Sequence, residues 1–176
     1  MRVIETERLV LRPWRESDAE SLYEYAKDER VGPIAGWQPH KSLEDSLRAI
    51  REVLSQDGCL AVTIKGDGRA VGSIAIFQHS DTNPQKGTEI GYWLGVPFWG
   101  RGYIPEAVKA IMKYCFEERG ETILWCGHYE GNEKSCRVIK KCGFTYAYTD
   151  ICEVSQMNET RREYLYSITR EDWEKL

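Results

Sequence analysis

The residues of this sequence best suited to chemistry stand between positions 89 and 108. Glu89-Ile90-Gly91-Tyr92-Trp93-Leu94 reads as an apolar strand, Gly100-Arg101-Gly102 as a short loop, and the run from Tyr103 as a helix. Glycine turns the chain tightly and leaves amide N–H groups uncovered by side chains. A helix start adds unbonded N–H groups and the positive end of the helix dipole. Such a loop is a seat for a phosphate or pyrophosphate. The same glycines would serve an ordinary strand-to-helix turn, so the loop alone leaves both readings open.

Two other places hold side chains with chemical reach. Trp37 and His40 lie in a Gly- and Pro-rich loop, Val31 to Lys41, and loops often carry function. Trp37 could line a substrate pocket or pin the loop to the core, whereas His40 reads as a surface residue. Cys126 and His128 are close, but no second ligand pair has the spacing of a zinc site, so no metal is expected. The six cysteines include no Cys-x-x-Cys pair. In a chain of this length they read as small hydrophobes rather than a disulfide scaffold.

The elements that must position these groups are legible from periodicity. Ile104, Ala107, Val108, Ile111 and Cys115 form one apolar helical stripe, with Glu106, Lys109, Lys113 and Glu117 on the wet face. Pro105 sits in the first turn, where its missing N–H costs nothing. Upstream, Thr6 to Trp14 reads as a strand, and Ser17 to Glu20 as a capping box opening a helix to about Asp28. A second helix runs from Ser42 to near Gly58 with Leu43, Leu47, Ile50 and Leu54 inward. Cys59–Ile64 and Ala70–Phe77 form a hairpin about Gly66-Asp67-Gly68. The polar run His79 to Lys86 reads as a long exposed loop. Beyond the central helix come a strand over Thr122–Gly127, a helix over Glu133–Cys142 closed by Gly143, and a terminal hairpin of Phe144–Val154 with Glu163–Thr169.

This order predicts a single α+β domain over residues 1–176: a mixed, mainly antiparallel twisted sheet of about seven strands with about four helices. A chain of 176 residues suits one core. With 41% hydrophobic and 30% charged residues and a formal charge of -4, the composition is that of a soluble globular protein. It gives no general reason to expect nucleic-acid or membrane binding. No run is long enough to span a bilayer and no signal-peptide core opens the chain, so a cytoplasmic location is expected. A dinucleotide fold would want a third glycine and a later acidic residue, and no Gly-Lys-Ser/Thr is present for a P-loop.

Three segments together resemble the GNAT superfamily of N-acetyltransferases, most nearly the branch that includes the ribosomal-protein N-terminal acetyltransferases. They are Glu5-Thr6-Glu7-Arg8-Leu9-Val10-Leu11-Arg12-Pro13, the stretch from Glu89 through Trp99-Gly100-Arg101-Gly102-Tyr103, and Asn132-Glu133-Lys134-Ser135 ending in Gly143-Phe144. The resemblance covers nearly the whole chain. It implies acetyl-CoA as cosubstrate, with Tyr92, Trp93 and Leu94 along the pantetheine arm. Trp99, Gly100, Arg101, Gly102, Tyr103 and Ile104 would lie about the pyrophosphate, and Asn132 and Ser135 beside the pantetheine amide and sulfur. Gly91 could mark a bulge that splays the strand and admits the cofactor. Trp99 and Ile104 depart from the usual loop pattern. Ile139 stands where many relatives place a general-acid tyrosine.

The implied reaction is direct attack of a primary amine on the acetyl thioester through a tetrahedral intermediate. The acceptor would be a protein N-terminal α-amine or a small-molecule amine, touched by Trp37 and Glu89. Glu89 is the candidate general base, acting directly or through water, and His128 a weaker one. Ser135 is the candidate acid in place of the absent tyrosine, and the Leu94 N–H the candidate oxyanion donor. That absence also leaves open a non-catalytic acetyl-CoA-binding sensor or partner module. The aromatic terminal hairpin offers a surface for a homodimer.

Overall fold

The computed structural model describes residues 2–78 and 87–176, so the run 79–86, expected as an exposed loop of the acceptor pocket, lies outside the described residues. The described chain forms one eight-stranded sheet with helices on both faces. The strands are β1 (Ile4–Glu5), β2 (Leu9–Arg12), β3 (Cys59–Ile64), β4 (Ala70–Gln78), β5 (Thr88–Leu94), β6 (Ile123–Tyr129), β7 (Thr145–Val154) and β8 (Glu159–Thr169). The helices are α1 (Ala19–Ala26), α2 (Leu43–Ala49), α3 (Tyr103–Glu117), α4 (Glu133–Lys141) and the short α5 (Arg170–Trp173). The sheet order is β1-β2-β3-β4-β5-β6-β8-β7. Every neighbouring pair is antiparallel except β5 with β6.

The sheet buries an apolar layer on each face. On one, the α3 stripe of Ile104, Ala107, Val108, Ile111 and Cys115 packs with Ile74, Ile90 and Leu124. On the other, Trp14, Leu22, Ala26 and Ile50 cover Ala61 and Ala70 beneath α1 and α2. Each large side chain fully buried this way is worth roughly 1.5–3 kcal/mol.

Local expectations shift in several places. The strand expected over Thr6 to Trp14 is confined to Leu9–Arg12, and a separate short strand, Ile4–Glu5, precedes a turn in which the Thr6 N–H reaches the Leu9 carbonyl. The cap ahead of α1 is built by Asp18, not by Ser17 and Glu20. Its carboxylate accepts the Arg15 N–H at 2.9 Å and a two-pronged ion pair from buried Arg12 at 2.7 Å. A buried guanidinium demands its carboxylate partner, and that demand overrides the local capping pattern. Ser42 does cap α2, accepting the Asp45 N–H, but Leu43 in the first turn is exposed. α2 passes into a wider π turn over Ile50–Leu54. Glu106, expected on the wet face of α3, is largely covered instead. The last strand begins earlier than the sequence suggested, at Glu159 rather than Glu163, and α5 was not anticipated. Thr169 caps it, and Trp173 lies over Phe116 with ring centroids 5.1 Å apart.

Candidate active site

β5 is zipped to β4 along its whole length, from Gln78↔Thr88 to Gly72↔Leu94. To β6 its register, among the described residues, is Thr88↔Leu124 and Glu89↔Trp125. Beyond these two rungs the parallel neighbours separate and leave a wedge in the sheet. The expected bulge at Gly91 is absent, since the β4–β5 register runs through it unbroken. Gly91 instead makes room for Phe77, whose ring would lie 2.9 Å from a Cβ there. The Gly95 N–H bonds to the Val71 carbonyl. By the alternation of an antiparallel ladder, the N–H groups of Leu94 and Tyr92 therefore point away from β4, toward the wedge.

At the end of β5 the chain turns through Val96–Phe98 into the glycine loop. The Trp99 indole N–H donates to the Leu94 carbonyl at 2.7 Å, so this side chain clamps the strand end. Gly100 and Gly102 take left-handed conformations, with φ of 75° and 80°. A Cβ on Gly100 would meet nothing within 4 Å, which leaves its backbone face open. Gly102 is the N-cap of the 15-residue α3. Arg101 and Tyr103 edge the loop, while the Ile104 side chain is buried in the core, so Ile104 can offer only its N–H.

The loop is braced from the N-terminal segment, which sequence reasoning missed. The Arg8 guanidinium donates to the Arg101 carbonyl at 3.0 Å and to Glu106 at 2.7 Å, and its Cζ lies 4.7 Å from the Tyr103 ring centre. Glu106 also accepts from the Thr6 hydroxyl at 2.6 Å and the Arg8 N–H at 2.8 Å. Burial pushes the Glu106 carboxyl up, but these hydrogen bonds outweigh it and hold the group below its ordinary 4.5.

On the α4 side of the wedge, Asn132 caps the helix by accepting the Ser135 N–H at 3.2 Å. Its oxygen is thereby committed, and its amide NH₂ is the part left to donate. The Ser135 Oγ lies 2.8 Å from the Tyr92 phenol, a contact the sequence did not announce. Burial pushes the Tyr92 phenol well above its ordinary value, with Cys126 adding to the rise and Ser135 opposing it. Ile139 is fully buried in the core. Lys134 lies over the Trp99 ring with its Nζ 3.7 Å from the ring centre.

The opposite side is aromatic. Trp93 stacks on Trp14 at 6.3 Å and meets Trp37 edge-on at 5.8 Å, so its side chain faces away from α3 and α4. Trp37 both pins and lines: Gly32 is bare because the Trp37 ring would lie 2.7 Å from any Cβ. The Arg161 guanidinium donates to the Pro33 carbonyl at 2.6 Å and ties this loop to β8. His40 is not the free surface residue expected. It is half-buried with Nδ1 2.8 Å from Ser46 Oγ, and burial holds its ring below the ordinary imidazole value. Glu163, unremarked in the sequence, places its carboxylate 2.6 Å from where a Gly127 Cβ would stand.

One cavity of about 800 Å³ joins these surfaces, walled by Trp37, Phe77, Glu89 and Trp93 on the α2 side and by His128, Asn132 and Ser135 toward α4. Among the described residues no three His, Cys, Asp or Glu side chains gather to hold a metal ion. No described helix is long and apolar enough to cross a membrane.

Comparison with known proteins agrees with this geometry. The family described as "Acetyltransferase (GNAT) domain" matches residues 8–145. The "Uncharacterized N-acetyltransferase YnaD" of Bacillus subtilis is 26% identical over 97% of this chain and 98% of its own. The solved GNAT-family acetyltransferase of Bacillus anthracis superposes with a TM-score of 0.83 at 26% identity, covering 97% of this chain and 99% of that one. The microcin C7 self-immunity acetyltransferase MccE, solved with acetyl-CoA and AMP, shares the fold, with a TM-score of 0.75, 19% identity and 93% of each chain covered.

Proposed function

The chain belongs to the GNAT acetyltransferase family and is an acetyl-CoA-dependent N-acetyltransferase, and on that premise we propose that it acetylates a primary amine by direct attack within the β5–β6 wedge. The observation that carries this reading is the coincidence of that wedge with the open glycine loop at the start of α3. The loop amides of residues 100–104 fit a diphosphate, since two left-handed glycines, one on each side of Arg101, present backbone N–H groups with no side chain of their own over them. The outward edge of Tyr92 and Leu94 fits the amide-bearing pantetheine arm, as an added strand. Asn132 donates its NH₂ to that arm.

Glu89 faces the α2 side of the cavity, where it would draw in the acceptor ammonium and take its first proton, directly or through water. The Leu94 N–H would receive the developing oxyanion. Ser135 would present its hydroxyl to the departing sulfur, because Ile139, locked in the core, has nothing to give. A cavity of about 800 Å³ with an indole wall suits an amine carrying a flat or apolar body, whether a small molecule or the first residues of a peptide.

Calorimetry with coenzyme A, followed by thiol release from acetyl-CoA across a panel of peptides and small amines, tests the reading. Binding and amine-dependent release are expected. Failure to bind coenzyme A would overturn it. A Glu89→Gln variant should lose one limb of the pH–rate profile, and an unchanged profile removes Glu89 as the base.

A further inference from the structure

Two protons must leave the acceptor nitrogen during acetyl transfer. The first is lost from the ammonium before attack. The second is lost from the positively charged nitrogen of the tetrahedral intermediate, and the sulfur needs one as it departs. On the reading above, Glu89 answers for the first on the α2 side of the sheet. Ser135 and Tyr92 form a hydroxyl pair on the α4 side, 2.8 Å apart. With the phenol held well above its ordinary value, that pair can pass a proton on but is a poor source of one.

We infer that His128 is the catalytic residue that moves the second proton, from the nitrogen of the tetrahedral intermediate to the departing sulfur of coenzyme A. His128 is 7% exposed and stands on β6 where that strand has parted from β5. By strand alternation it shares the face of Leu124 and Cys126, the face covered by α3 and α4, and it lines the same cavity as Asn132 and Ser135. Its Nδ1 lies 3.0 Å from the Tyr129 carbonyl, which can only accept, so Nδ1 carries the hydrogen and Nε2 is the basic nitrogen. That Nε2 is buried and meets no hydrogen-bond partner among the described residues. A buried acceptor left unpaired is costly, and a ligand hydrogen is what would satisfy it.

The ring is also held in place. Tyr164 and Tyr166 lie against it with centroids 5.3 and 5.6 Å away and ring planes inclined by 38° and 29°, which fixes the direction in which Nε2 points. In the step itself the N–C bond has formed, Nε2 takes the proton from that nitrogen, the C–S bond breaks with its electron pair going to sulfur, and the Nε2 hydrogen passes to sulfur. Nδ1–H stays bonded to the Tyr129 carbonyl throughout. The amide and the free thiol leave neutral, and the imidazole is returned unprotonated at Nε2.

The inference rests on coenzyme A occupying the wedge, and its test separates the two. The full chain with ¹⁵N-labelled histidine is titrated with coenzyme A and with desulfo-coenzyme A, binding of each being followed by calorimetry. His128 is assigned through bonds. The expected result is that the thiol form moves the Nε2 resonance toward its protonated position and the desulfo form does not. Binding of both with Nε2 unmoved, or moved equally, overturns the role of His128. Failure of coenzyme A to bind overturns instead the reading on which it rests. With an amine from the panel, His128→Asn, whose amide can still bond the Tyr129 carbonyl, should lose about 100-fold in kcat with KM for acetyl-CoA within about threefold. A kcat within about threefold of the parent would remove His128 from the reaction.

Discussion

Arg8 and Glu106, 98 positions apart in the chain, meet at 2.7 Å and brace the glycine loop from beneath. The same guanidinium holds the Arg101 carbonyl, so the backbone that on the proposed reading meets the diphosphate is already fixed by the protein. Arg8→Ala should raise the dissociation constant for coenzyme A about tenfold, the order of one charge-assisted hydrogen bond, with kcat at saturation changed little. Calorimetry and saturation kinetics check both halves. Glu106 adds a pH signature. Its carboxyl is lowered in the folded state, so its stabilisation is present above about 4.5 and is lost as pH falls through the folded value. Glu106→Gln should be less stable than the parent at pH 7 and should flatten that part of the acid limb in denaturant titrations.

Gly102 is held at φ 80°, and a Cβ there would stand 3.4 Å from the Arg8 guanidinium. Gly102→Ala should therefore cost about 1–2 kcal/mol in stability from backbone conformation alone. It should also weaken coenzyme A binding more than Gly120→Ala, a control at another left-handed glycine with nothing within 4 Å. Equal coenzyme A affinities in the two variants would show that the loop conformation is not what binds the ligand.

On the proposed reading Ser135→Ala removes the hydroxyl that would face the sulfur, and Tyr92→Phe removes only the group 2.8 Å behind it. Turnover should fall in the first with little change in affinity for acetyl-CoA. The second should fall less, because the serine hydroxyl survives but loses its orienting partner. A double variant no slower than Ser135→Ala would place the two in one unit. An unchanged rate for Ser135→Ala would exclude it from the reaction.

Asp18 is nearly buried, and its two oxygens take both prongs of the Arg12 guanidinium. Removing the carboxylate strands a buried cation. Asp18→Ala should lose about 3–5 kcal/mol of stability in urea titration, whereas breaking the exposed pair Arg51–Glu16 should leave the urea midpoint almost unchanged.

The parts of the site that are local in sequence were legible in it. The glycines about Arg101, the α3 stripe and the helix opening at Glu133 each follow from neighbouring residues, and each stands where its spacing placed it. Contacts between distant segments were not. Nothing near Arg8 announces that it will hold a loop 93 positions away, and nothing near Tyr92 announces Ser135. The bulge assigned to Gly91 failed for a related reason. A bare glycine in a strand can serve register or a neighbour's ring, and only the position of Phe77 on β4 decides between them. Glu163 escaped notice because its meaning lies in Gly127, across a strand pairing that the sequence does not display.

The bond from Arg161 to the Pro33 carbonyl makes β8 a strut for the tryptophan loop, while the nucleotide grip is built from β5, α3 and the N-terminal segment. On the proposed reading, the grip on the cosubstrate and the wall that meets the acceptor are thus anchored in different stretches of polypeptide. Substitutions at Arg161 and in the loop it props are then expected to change which amines are accepted and to leave the affinity for coenzyme A unchanged.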